Sequence, residues 1–439
     1  MSTGLVGIPR TFHRVPGFAL LAIIVGAAAC GDRSNPVFEQ PGSGADWFPV
    51  EVTGVSVTPW VTAPASTGQR LSITIPGLSL DSAVIQPVDP VRAIVDGTPV
   101  SRWALYDDGT HGDSVAGDQV FTRSGLEPEG TGPIRSVTVS AVFFPGSAQP
   151  QRFVPTKFVL RSLDTTMIHP VEVTPLAPDV QVAPHVVVIT GPEDEPVEEM
   201  KRVGDRYFEL FPGDRDFLLV LHTGYAYSAA GVAVATSPAV QGIGLPSNVI
   251  YYRFPQGPNV LRAITFVSDP WRPWSSFEGR FCLPTHEIAH AWGAYLPRGL
   301  SAQGHWTGSF LRTRSAFGVD GKCEFNELEL YLAGLLPADS VPSPLTQSGL
   351  TLADVIADVG TRQPPWPDAQ RTFRAAFIAS ARAPLSPMDI TYLETLANEY
   401  GLPESTLGLT FEAATGGRAV LDTRIPEPRA TGPSIRRGG

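Results

Sequence analysis

The sequence predicts an α+β chain of more than one folded unit, an all-β sandwich followed by an α/β domain. Three observations carry that expectation. Between Val50 and Ser162, runs such as VEVTGVSVTP, RLSITIPGL and SVTVSAVFF alternate apolar and polar residues and are separated by turn residues. From Asp164 to Pro184 the chain turns proline-rich (HPVEVTPLAPDVQVAP). Beyond it, continuous apolar runs such as HVVVIT and DFLLVL alternate with stretches of helical spacing. Period-two alternation marks strands buried on one face, whereas continuous apolar runs mark strands covered on both.

Composition bounds the reading. A length of 439 residues exceeds one domain of ordinary size. Hydrophobic residues make up 43% and charged residues 17%, enough apolar material for real cores. Glycine and proline number 43 each, which favours turns and strands over long helix bundles. The formal net charge is −11 and there is no basic run, which excludes a nucleic-acid partner. A monomer is expected.

Residues 1–30 read as an export signal. Arg10, His13 and Arg14 form a weakly basic start, GFALLAIIVG an apolar core, and Ala27-Ala28-Ala29-Cys30 a small-residue ending. The apolar run is shorter than the ~20 residues a membrane span needs. The Ala-Ala-Cys ending resembles a bacterial lipobox, with Ala27 where Leu is more usual. That resemblance implies a lipid on Cys30 and membrane anchorage facing the periplasm or the cell exterior. Ordinary secretion is the alternative. Residues 31–48 form a flexible tether. With Cys30 lipidated, Cys282 and Cys323 are left as an even pair, suited to a disulfide in an oxidising compartment. Such a bridge would close a loop of about 40 residues, worth roughly 3–4 kcal/mol. Two free buried thiols are the bland alternative.

Residues 49–165 predict a two-sheet sandwich of immunoglobulin-like size. Within it, Leu105–Thr122 (LYDDGTHGDSVAGDQVFT) resembles a segment of immunoglobulin-like domains in exported bacterial proteins. Asp107, Asp108, Asp113 and Asp118 offer oxygens of the kind Ca²⁺ takes, but Asp and Gly are also ordinary turn residues. The α/β domain spans 180–425. Strands are expected at HVVVIT, DFLLVL, Asn248–Phe254 and Arg262–Val267. Helices are expected at 194–210, from about Leu283, at Glu327–Leu336, Gln370–Ala381 and Pro387–Tyr400. The tail, 426–439, is expected to be disordered.

The chemistry centres on His286-Glu287-Ile288-Ala289-His290. Two histidines at i and i+4 project from one helix face and can share one Zn²⁺. Glu287, beside the first ligand, is placed to take a proton from a water acidified by the metal. Thr285 stands where a helix cap is favoured. A catalytic zinc also needs a third protein ligand. Downstream of the motif the candidates are His305 and the acidic residues Asp320, Glu324, Glu327, Glu329 and Asp339, of which Glu327 and Glu329 lie on the next expected helix. The compact alternative, a third His six residues on, is absent, because that position is Leu296. Tyr295, Tyr331 and Arg298 are candidate oxyanion donors. Gln241–Pro246 is a candidate substrate-pairing edge, or simply a glycine-rich loop.

HEIAHAWGAYL, GHW and FNELELYLAGLLPADSV together resemble a group of bacterial exported HExxH zinc metallopeptidase-like lipoproteins, over roughly residues 180–425. The resemblance implies a zincin-like metallopeptidase domain and singles out His305 and Glu329. The function expected is zinc-dependent hydrolysis of a peptide or protein substrate, with Glu287 as general base. Two rivals remain: a zinc hydrolase of a non-peptide amide, and a non-catalytic surface-anchored binding lipoprotein with a vestigial or structural metal site.

Overall fold

The computed structural model describes residues 54–63, 67–74, 82–87, 93–95, 98–99, 103–128, 132–144, 152–192, 195–223, 231–235, 261–268, 282–292, 301–302, 305–306 and 324–429. They form a mixed α/β structure with several antiparallel sheets, one mixed sheet and flanking helices.

Nine strands come first: β1 (Gly54–Thr58), β2 (Gln69–Thr74), β3 (Ser82–Pro87), β4 (Ala93–Val95), β5 (Thr98–Pro99), β6 (Trp103–Leu105), β7 (Val120–Pro128), β8 (Ile134–Phe144) and β9 (Arg152–Leu163). They build a five-stranded sheet, β1-β2-β7-β4-β5, and a four-stranded sheet, β6-β3-β8-β9, with every pairing antiparallel. β2 alternates buried and half-buried positions, as period-two patterning requires. The segment after β1 laces the sheets together. Thr62 donates its N–H to Arg161 O (3.0 Å), and Leu163 returns the bond to Thr62 O (2.8 Å). The fully buried Arg161 guanidinium lies 4.1 Å from the Trp60 ring centroid, a cation–π contact made out of water.

The second region is one eight-stranded sheet. Its members are β10 (Thr174–Ala177), β11 (Val180–Val182), β12 (Val186–Thr190), β13 (Phe217–His222), β14 (Gly231–Ala235), β15 (Ala263–Ser268), then β18 (Thr372–Ala381) and β19 (Val420–Asp422). The order is β10-β11-β12-β18-β13-β15-β14, and β19 also pairs with β18. β12, β18, β13 and β15 run parallel, while β10, β11 and β14 are antiparallel. The expected strands at HVVVIT, DFLLVL and Arg262–Val267 are β12, β13 and β15. Asn248–Phe254 lies outside the described residues.

Helices cover both faces. On one, α1 (Pro196–Leu210) sets Met200, Val203, Tyr207 and Phe208 against Leu218, Val220, Ile264 and Phe266. On the other lie α2 (Cys282–Ala289), α3 (Glu327–Ala333), α5 (Pro387–Tyr400) and the short α6 (Phe411–Ala414), over Phe217, Leu219, Leu221 and Val267. α4 (Leu352–Val359) adds Leu352 and Val355 to that core. The hairpin strands β16 (Ser301–Ala302) and β17 (His305–Trp306) pair with each other.

Two expectations are corrected. Gln370–Ala381, expected as a helix, is β18, the central strand. Its alanines favour a helix locally, but tertiary context wins: the strand fills the gap between β12 and β13, bonded in parallel to both, and is buried over Ala375–Ala381. Small side chains there let helices approach from both sides. The tail is also more ordered at its start than expected. Arg429 donates its backbone N–H to Leu210 O (2.7 Å) and its Nε to Phe211 O (2.9 Å). α1 has no basic residue in its last turn, so Arg429 answers carbonyls that the helix itself leaves open. Among the described residues, no helix is long and apolar enough to cross a membrane.

Candidate metal centre

α2 begins at Cys282 and tightens into a 3-10 turn over His290–Trp292. Apolar neighbours bury it: Leu283, Ile288, Ala289 and Trp292 join the core beneath the sheet. Trp292 meets Phe217, Phe325 and Phe373 edge-on, with ring centroids 5.6, 6.4 and 5.3 Å away. Thr285 does not cap the helix, since the helix starts three residues earlier. Its hydroxyl instead lies 2.8 Å from the Tyr400 hydroxyl.

His286, Glu287 and His290 are brought together, with ligand-type atoms within 4.8 Å of one another. His286 Nε2 and His290 Nε2 are 3.2 Å apart and their rings cross at 82°. Two nitrogens each about 2.05 Å from a common zinc, in a tetrahedral arrangement, stand about 3.3 Å apart. The pair therefore fits a shared Zn²⁺; a ring-to-ring hydrogen bond has the same length. Glu287 Oε2 is 3.9 Å from His290 Nε2, beyond hydrogen-bond reach and wide enough for an intervening water. Glu287 is 1% exposed and His290 8%, whereas His286 is half-buried. The more accessible side of the group is therefore that of His286.

The candidate third ligands differ. Glu329 is 1% exposed and closes a capping box at the start of α3. Its Oε2 accepts from Asn326 N (2.8 Å), and Asn326 Oδ1 accepts from Glu329 N (2.9 Å). It is not in the His286–Glu287–His290 group. Glu327 opens the same helix, half-buried, and is likewise not in the group. α3 ends at Gly334, which adopts a left-handed conformation, so it is shorter than the expected Glu327–Leu336. The Arg362 guanidinium donates to Leu332 O (3.1 Å) and Ala333 O (2.9 Å) there; burial pulls its pKa down to about 10. Tyr331, a candidate oxyanion donor, is buried and accepts from Arg362 N (3.2 Å). His305 opens β17, with Ala302 opposite it in register. Tyr295, Arg298 and Gln241–Pro246 lie outside the described residues. Cys282 is disulfide-bonded, while Cys323 and Cys30 also lie outside them.

The aspartate-rich loop turns its carboxylates onto its own backbone N–H groups. Asp113 Oδ2 accepts from Gly109 N (2.6 Å), Asp107 Oδ2 from Gln119 N (3.2 Å) and Asp118 Oδ1 from Val120 N (2.9 Å). Asp108 Oδ1 accepts from Thr110 N (2.9 Å), and the Thr110 hydroxyl bond holds its carboxyl below the usual range. This is how aspartates build turns. Gly112 has φ +96°, and a Cβ there would strike Ser124 Oγ, so the loop needs glycine.

Comparison with known protein families finds no matching family, and no curated protein matches the chain.

Proposed function

We propose that this chain is a zinc-dependent hydrolase, and in particular a metallopeptidase, with His286 and His290 as two zinc ligands and Glu287 as general base. The 3.2 Å Nε2–Nε2 spacing, with Glu287 alongside, carries the reading. Zinc bound there would supply Lewis-acid activation of a scissile carbonyl and of water. The chain's own part is to hold the two imidazoles at fixed spacing and to keep a buried carboxylate beside them as proton acceptor. We assign the third ligand to His305, because Glu329 already spends a carboxylate oxygen on the α3 cap.

Peptide as substrate is supported by β14. Among the described residues it pairs with β15 alone, and it lies against α2 and the 3-10 turn. A strand whose other edge meets no strand among the described residues, lying beside the centre, suits an extended peptide. On this reading the mixed sheet with α2 is a zincin-like domain and the nine-stranded region an immunoglobulin-like sandwich. A lipid on Cys30 would place the protein outside the cytoplasm, where a disulfide at Cys282, with Cys323 as partner, is stable.

Metal analysis of the purified full chain tests the reading: about one zinc per chain is expected, removable by chelator. A metal-free protein that also cleaves no member of an unbiased peptide library would overturn it. Bound zinc without cleavage of any peptide would point to the binding-protein alternative.

A further inference from the structure

α2 is short. Eight residues do not fix a helix on their own, so its setting depends on what it touches. The histidine pair also spans a change of winding: His286 lies in the α-helical part, and His290 begins the 3-10 turn. Consecutive residues turn by about 100° in the first and about 120° in the second. The relation between the two imidazoles therefore depends on how far the helix twists between its anchors.

Two anchors bracket the pair. Behind it, Trp292 is held among Phe217, Phe325 and Phe373. Ahead of it stands a polar contact, Thr285 Oγ1 to Tyr400 Oη at 2.8 Å, with both residues fully buried. Thr285 immediately precedes His286. Apolar packing resists separation of α2 from the core but restrains rotation weakly; a buried hydrogen bond is directional. Tyr400 is itself fixed. It is the last residue of α5, and its ring meets Phe377 of β18 and Phe411 of α6 edge-on, at 5.9 and 6.4 Å. Burial pushes its phenol pKa up, so the hydroxyl keeps its proton throughout the working pH range.

We infer that Tyr400 is a positioning residue for the metal centre: through Thr285, its hydroxyl sets the twist of α2 that holds His286 Nε2 against His290 Nε2. The inference rests on the zinc reading above. Tyr400 touches neither metal nor substrate and acts only through the helix.

Zinc affinity of the full chain, measured by competition with a chromogenic chelator, tests it. Tyr400→Phe removes one oxygen and keeps the ring. Zinc affinity should fall about tenfold, the scale seen when a partner that orients a ligand is lost. Thr285→Val should fall similarly, and the double variant should be no worse than either single, because both remove the same bond. Thr285→Ser should restore the wild-type value. A purely structural contact would lower the melting temperature and leave zinc affinity alone. Wild-type zinc affinity in Tyr400→Phe, or additive losses in the double variant, would overturn the inference while leaving the zinc reading intact. A wild-type chain that takes up no zinc would overturn both. Should Tyr400→Phe fail to fold, Thr285→Val and its serine rescue decide by the same titration.

Discussion

The mixed sheet carries a histidine–glutamate pair on each face. On the α1 face, His222 Nδ1 and Glu199 Oε1 are 2.8 Å apart and both residues are about 1% exposed. On the α2 face, His290 Nε2 and Glu287 Oε2 are 3.9 Å apart, beside a half-buried second imidazole. The residue types are the same, but the first pair is closed by a direct hydrogen bond and joins a helix to a strand. The second lies within one turn of one helix and leaves a gap. In the first pair the direct bond joins two buried polar groups; in the second the short contact of His290 is with the other imidazole, His286 Nε2 at 3.2 Å. Composition does not separate the two pairs, whereas spacing does.

The largest difference should appear on conservative substitution of the two acids. Glu287→Gln is expected to cut hydrolysis by about 10²–10⁴-fold, the usual range for a lost general base, with zinc content retained. Unchanged turnover would remove Glu287 from that role. Stripping zinc with a chelator should cost about 2.7 kcal/mol of apparent stability, measured against protein held at about 100 times Kd in free zinc. A denaturation midpoint indifferent to zinc would contradict a folded-state site. On the opposite face, Glu199→Ala removes the 2.8 Å partner of a buried imidazole, and should cost about 1–3 kcal/mol in urea unfolding with zinc stoichiometry unchanged. If it instead abolished zinc binding, the two faces would not be separable. Asn326→Ala should cost about 1 kcal/mol through the lost α3 cap, again with zinc retained. Loss of zinc in that variant would return Glu329 to the ligand set.

The smallest effect concerns pH. Burial raises the Asp389 pKa above 3.8. The folded state therefore holds this proton more tightly than the unfolded state, and the contribution of this carboxyl to stability falls as pH rises from about the unfolded value through the raised one. Asp389→Asn should flatten stability against pH in that acidic window; an unaltered pH profile would exclude Asp389 as its source.

Local signals were legible in the sequence and distant pairings were not. His286, Glu287 and His290 could be read as a group because they fall within five consecutive residues of one helical segment. α5 could be read because Ser386-Pro387 announces its start, and the Ser386 side chain does accept from Asp389 N. β18 was misread because its alanines say helix, and only its seat between β12 and β13 says strand. α4 went unnoticed although Thr351 and Asp354 form a capping box at its start. The same motif was present at Asn326 and Glu329, where Glu329 Oε2 accepts from Asn326 N. The Thr285–Tyr400 bond joins residues 115 positions apart, and no local pattern announces it.

The place of β18 in the chain has a consequence for biosynthesis. β12 and β13 cannot pair with each other, because the slot between them belongs to a strand that the ribosome makes much later, after α2. Until Thr372–Ala381 emerges, the sheet remains in two halves and α2 has no completed floor. Folding of this region is therefore a late, long-range event, slow to nucleate.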